Sequence, residues 1–94
     1  MAVTLSAVEA ALGMSLADAR GRHARLTKRE AQVAAWMAAG IPSGQIAEGL
    51  GLTHSTLGNH RRRLMTKLGA DTAAGVANVV NLLRLADAAD GSGD

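Results

Sequence analysis

Ninety-four residues suffice for one small domain and leave no room for a second. Hydrophobic residues make up 48% of the chain, mostly Ala, Leu and Val, and Trp36 is the single aromatic, which favours helices and argues against strands built on β-branched and aromatic side chains. Ten Lys and Arg against eight Asp and Glu give a net charge of +2, and the absence of cysteine excludes disulfides, thiolate metal ligands and a cysteine nucleophile.

Residues 1–25 read as an N-terminal helical extension. Glu9 and Asp18 stand where a basic leader would be, so no signal peptide is expected. No apolar run approaches the ~18 residues of a membrane span, and a cytoplasmic protein with no membrane partner is expected. Leu5, Val8, Leu12 and Leu16 fall on one helical stripe, broken or kinked at Gly13. Ser6 with Glu9, and Ser15 with Asp18, have the spacing of capping pairs. The spacing predicts one or two amphipathic helices, whose stripe must be covered by the rest of the chain or by a second copy.

Thr27-Lys28-Arg29-Glu30 predicts a helix start with a reciprocal capping box. Val33, Trp36 and Met37 form the apolar face of that helix, and Gly40 ends it. Ser43 is expected to cap a short helix over 44–50, with Ile46, Ala47 and Leu50 inward. Gly51 supplies a turn at positive φ. Thr53 caps a helix over 54–68 that Gly69 closes. Asp71 or Thr72 starts a last helix over 73–87, with Val76, Val80, Leu83 and Ala77 inward. The acidic, Gly/Ser-rich residues 87–94 are expected to be disordered.

The charge is segregated. Arg20, Arg22, Arg25, Lys28 and Arg29 form one basic cluster, and Arg61, Arg62, Arg63 and Lys67 form another, with no acid between Glu48 and Asp71. Such clusters suit an anionic partner, most commonly nucleic acid, or else a solvated helix face. A short helix, a glycine turn and a longer helix follow the helix-turn-helix plan. Ala47 permits close crossing, Gly51 turns the chain and Leu57 anchors the second helix. At about 100° per residue, Leu57, Leu64 and Leu68 share one side of 54–68, with His60 at the edge. Ser55, Asn59, Arg62 and Thr66 share the other, with Arg63 beside them and Gly58 and Arg61 on the flanks. An α-helix fits the major groove of B-DNA, where Arg pairs with guanine and Asn with adenine, so Asn59 and Arg62 are candidates for base contact. Arg61, Arg63 and Lys67 are candidates for phosphate contact.

The stretches LTKREAQVAAWMAAG and QIAEGLGLTHSTLGNHRRRLMTKLG resemble the DNA-binding domain of LuxR-type (GerE-like) bacterial transcription regulators. The Leu26-Thr27-x-x-Glu30 start, the Ile46-Ala47-x-x-Leu50-Gly51 turn, and Thr56-x-x-Asn59-His60 followed by Lys67-Leu68-Gly69 carry the likeness. The resemblance implies an all-α, four-helix helix-turn-helix domain over 26–86, preceded by the extra amphipathic helix or helices of 1–25. It implies binding of double-stranded DNA with the 54–68 helix in the major groove. Ser55 and Gly58 join Asn59 and Arg62 at the bases, and Thr53, Thr56, His60, Arg61, Arg63 and Lys67 are assigned to phosphates. It further implies a homodimer through Val76, Val79, Val80 and Leu83 of the last helix, with the N-terminal extension as a second contact.

Two positions depart from the family pattern: Gly58 and Gly44 stand where Lys is frequent. Gly58 also costs about 1 kcal/mol of helix stability relative to Ala. Lys28 replaces a frequent Pro, at a position tolerant of change. Longer members carry a sensor or phosphoacceptor domain ahead of this module, and residues 1–25 are too few for one. No catalysis, metal or cofactor is expected: His23, His54 and His60 lack ligand spacing, Ser43 and Ser55 have no base to activate them, and Glu30 reads as a cap. The competing reading is a module that does not bind DNA and instead dimerises with a larger regulator and blocks it.

Overall fold

The computed structural model describes residues 4–91, with side chains through Ala88. Six helices follow one another and no strand occurs among these residues: α1 (Leu5–Leu12), α2 (Leu16–His23), α3 (Lys28–Ala38), α4 (Ser43–Leu50), α5 (His54–Leu68) and α6 (Ala73–Gly91). The all-α expectation holds, and the N-terminal extension forms two helices.

Local chemistry sets most boundaries. Thr27 Oγ1 accepts from the Glu30 N–H at 3.1 Å, and Glu30 Oε1 accepts from the Thr27 N–H at 2.9 Å, so the capping box is complete. Ser15 caps α2 through the Asp18 N–H. Thr72 Oγ1 accepts from the Gly75 N–H at 3.0 Å, which settles the start of α6 on Thr72 rather than Asp71. Three expectations need correction. Thr4, not Ser6, caps α1, and Glu9 Oε2 instead accepts from the Leu16 N–H across the α1–α2 turn. Pro42 is the N-cap of α4, and Ser43 is its first residue and makes no capping bond. Helix α6 continues to Gly91, so 87–91 are helical rather than disordered: Ala88 and Ala89 sustain a helix that Val76 to Ala86 already anchor. Residues 92–94 of the expected tail lie outside the described residues.

The core gathers Ala19, Val33, Ala34, Met37, Ile46, Ala47, Leu57, Leu64, Leu68, Val76, Val79, Val80 and Leu82. Each fully buried Leu, Ile or Val contributes roughly 1.5–3 kcal/mol. Helix α6 is the common wall, packed against α1, α2, α3 and α5. Leu5, Val8, Leu12, Met14 and Leu16 lie half-buried against this core, so the N-terminal stripe is covered by its own chain. This corrects the dimer assignment. Val76, Val79 and Val80 are 0%, 2% and 6% exposed because neighbouring helices of the same chain already occupy that face, and Leu83 is half-buried.

Candidate nucleic-acid interface

Helices α4 and α5 meet at Gly51, whose φ of 67° is open to glycine at no steric cost. Around it the Gly51 N–H donates to the Glu48 carbonyl and the Leu52 N–H to the Ala47 carbonyl, which fixes the turn. Ala47, expected to permit close crossing, is buried. Gly49 of α4 comes close to α3 instead: a Cβ there would lie 2.6 Å from the Trp36 indole. The sequence carried no signal for that contact.

Thr53 caps α5 by accepting from the Thr56 N–H at 3.1 Å, and its own hydroxyl donates to Thr56 Oγ1 at 2.9 Å. Leu57, Leu64 and Leu68 are buried on the inner side. The outer side exposes Ser55, Thr56, Asn59, Arg62, Arg63 and Thr66. Arg62 Nη1 donates to Asn59 Oδ1 at 3.2 Å, so the two candidate base readers meet in the free protein. The Thr66 hydroxyl donates back to the Arg62 carbonyl. Nothing lies within 4 Å of where a Gly58 Cβ would stand, leaving a notch beside Asn59. His60 is half-buried, on the shoulder between the two sides.

Two cations depart from their expected places. Lys67 Nζ donates to Glu30 Oε1 at 2.6 Å; the carboxylate is 2% exposed and the lysine side chain 32%. Burial works to raise the Glu30 pKa. The hydrogen bond from Lys67, the Thr27 N–H and the attraction of the Lys67 charge outweigh it and hold the carboxyl below its ordinary value. Lys67 therefore neutralises a buried acid, and its ammonium is engaged within the free protein. Arg61 is half-buried, with Nε enclosed and unpartnered, in a cleft lined by Met37, Gly40, Ile41, Pro42, Ser43 and Ala73. It turns toward the α3–α4 connection rather than standing on an open flank. Arg22, outside the predicted site, donates from Nη1 to the Leu68 carbonyl at 3.3 Å and so holds the end of α5. Those residues are 46 positions apart, beyond any local pattern.

Among the described residues no group of three or more His, Asp or Glu could hold a metal ion, and no helix is long and apolar enough to cross a membrane.

A short helix, a left-handed glycine turn and a longer helix with a buried leucine side and a cationic outer side define a helix-turn-helix protein. The profile of the family described as bacterial regulatory proteins, luxR family (GerE), matches residues 24–80, and the chain belongs to that family. The transcriptional regulatory protein UhpA of Escherichia coli is 47% identical over 66 residues, covering 70% of this chain and 31% of that protein. The C4-dicarboxylate transport transcriptional regulatory protein DctR of Rhodobacter capsulatus is 40% identical over 83 residues, covering 82% of this chain and 42% of that protein. The chain thus spans well under half the length of these relatives. No solved structure matches it significantly.

Proposed function

We propose that this protein binds double-stranded DNA sequence-specifically as a bacterial transcription regulator, with α5 in the major groove, acting by binding rather than catalysis. The observation that carries this reading is the outer side of α5. It presents Asn59 and Arg62, exposed and side by side, with no acid between Glu48 and Asp71 to oppose a phosphate backbone. Asn59 and Arg62 read base edges, with Ser55 and the Gly58 notch against the groove floor. Arg63, Thr53, Thr56 and His60 meet phosphates, and the terminal nitrogens of Arg61 reach the same strand. Family membership, and relatives that are themselves transcriptional regulatory proteins, support the reading.

The protein acts as a homodimer. Its seam is the exposed stripe Ala74, Asn78, Asn81, Leu85 and Ala88 of α6, spaced by four and three residues as in a coiled coil. Leu85, 50% exposed, is the large apolar side chain left uncovered among the described residues. Two such subunits would present two α5 helices to one face of the duplex.

Selection of bound duplexes from a random pool tests the assignment. Arg62→Ala should lose about 1–3 kcal/mol of discrimination and relax the consensus at one position. Retention of both affinity and preferred site by Arg62→Ala refutes the base contact. Failure of the unaltered protein to shift any duplex at low salt favours instead a module that pairs with and blocks a larger regulator.

A further inference from the structure

We propose that the cavity between α2, α3 and α6 binds a small organic acid, a single carboxylate on an apolar body, at a site separate from the helix-turn-helix. The inference goes beyond the DNA-binding reading and does not depend on it. The cavity measures about 500 Å³, within the roughly 300–1,000 Å³ of small-molecule sites. No residue of α4 or α5 lines it.

Three helix faces converge on it. Helix α3 contributes Ala31 and Ala35, one turn apart, and α6 contributes Val80 and Leu83. These side chains form an apolar floor, and the alanines leave it hollow: anything longer than a methyl at either position would reach into the space. The same face of α6 carries on to Arg84 and Asp87, one and two turns beyond Val80. Helix α2 brings Arg20 and His23, again one turn apart. Aliphatic surface below and charged groups around the rim suit a ligand with one apolar part and one ionic part.

The rim has the chemistry to hold an anion. Arg84 is exposed and, among the described residues, has no hydrogen-bond or ion-pair partner. Its fork of N–H donors matches the two oxygens of a carboxylate. The half-buried His23 side chain likewise has no partner among the described residues, and an imidazole keeps an N–H donor in either charge state. Arg20 is already engaged and adds positive charge. Asp87 is the acid on this rim, and it opposes a second negative charge, so a monoanion fits better than a dianion. Arg20, His23, Arg84 and Asp87 all lie outside the residues 24–80 matched by the luxR profile, so the charged rim belongs to this chain rather than to the family pattern.

The test is a two-dimensional proton–nitrogen NMR titration of the full chain with octanoate. With about ten non-hydrogen atoms in an open site, octanoate should move the amide signals of Ala31, Ala35, Leu83 and Arg84 with a dissociation constant of about 1 mM. Acetate has the head without the body, and octylammonium has the body with the opposite charge; each should bind at least about tenfold more weakly. Octyl phosphate, with its larger charge, should also bind more weakly than octanoate because of Asp87. Arg84→Gln should weaken octanoate about five- to tenfold, and Ala35→Leu should abolish its binding by filling the floor. Equal shifts with acetate (an adventitious ion only) or with octylammonium overturn the proposal. So do shifts spread over α1 and Leu85 without saturation, tighter binding of octyl phosphate, or unchanged binding by Arg84→Gln. Should Ala35→Leu fail to fold, Arg84→Gln alters an exposed side chain and carries the same readouts. Duplex binding enters none of these outcomes, so recognition by α5 stands or falls on its own test.

Discussion

Replacing Lys67 by methionine separates a structural lysine from a DNA-contacting one. The change keeps most of the apolar stem and removes the ammonium. Glu30 would then be left 2% exposed, with the Thr27 N–H as its remaining donor at 2.9 Å. Breaking a fully buried ion pair costs about 3–5 kcal/mol; here Lys67 is itself 32% exposed, so screening by water reduces the expected loss to about 2–3 kcal/mol. For a domain of this size that lowers the thermal midpoint by roughly 10–20 °C. The pH dependence should weaken. In the unaltered protein the folded Glu30 pKa lies below its ordinary value of 4.5, so its contribution is present above that value and lost as pH falls through the folded pKa. Without Lys67, only the Thr27 bonds oppose burial, so the folded pKa moves up and the stability that Glu30 contributes above its ordinary value shrinks. Urea unfolding followed by Trp36 fluorescence between about pH 4 and pH 7.5 reads both effects, within the range where carboxylates titrate. A loss under about 0.5 kcal/mol at neutral pH, the size of an ordinary surface substitution, would refute the structural role. If a salt slope for DNA also flattened by about one unit, Lys67 would return to the phosphates.

Two further predictions concern glycines. Gly58→Ala meets nothing within 4 Å and should stabilise α5 by about 1 kcal/mol, whereas Gly51→Ala, at φ 67°, should cost about 1–2 kcal/mol; equal thermal midpoints for the pair would contradict the conformations assigned to them. Gly49→Ala gains about 1 kcal/mol of helix propensity but drives a methyl to 2.6 Å from the Trp36 ring, costing about 1–3 kcal/mol, so a net loss with a shift in Trp36 emission is expected. An unshifted spectrum with raised stability would show that the indole does not pack there.

The helices most legible in the sequence were those whose ends are written locally. Thr27 with Glu30 and Thr53 with Gly69 each lie within the segment they bound, so α3 and α5 followed from spacing alone. The outward placement of Asn59 and Arg62 followed from the leucine period of the same segment. What could not be read depends on pairs remote in sequence. Lys67 and Glu30 are 37 positions apart, and a lysine on a helix shoulder looks the same whether its partner is a phosphate or a buried carboxylate. Helix α6 is apolar over a broad arc, at Val76, Val79, Val80, Leu82 and Ala86. Period alone does not say whether that arc meets its own chain or a second one. The cover is internal, which leaves the narrower stripe through Leu85 as the exposed apolar part of α6. The α4 cap failed for a local reason: Pro42 fixes an extended backbone at φ −62° and ψ 150° and takes the capping position itself, pushing Ser43 inside the helix.

The central place of α6 has a consequence for how the chain reaches its native state. As residues leave the ribosome in order, α3, α4 and α5 emerge with Val33, Ala34, Leu64 and Leu68 still lacking one wall of their enclosure. That wall is the α6 segment that begins at Ala73. The nascent protein must carry its greasy interior half open until α6 has been synthesised, and that wall can close only then.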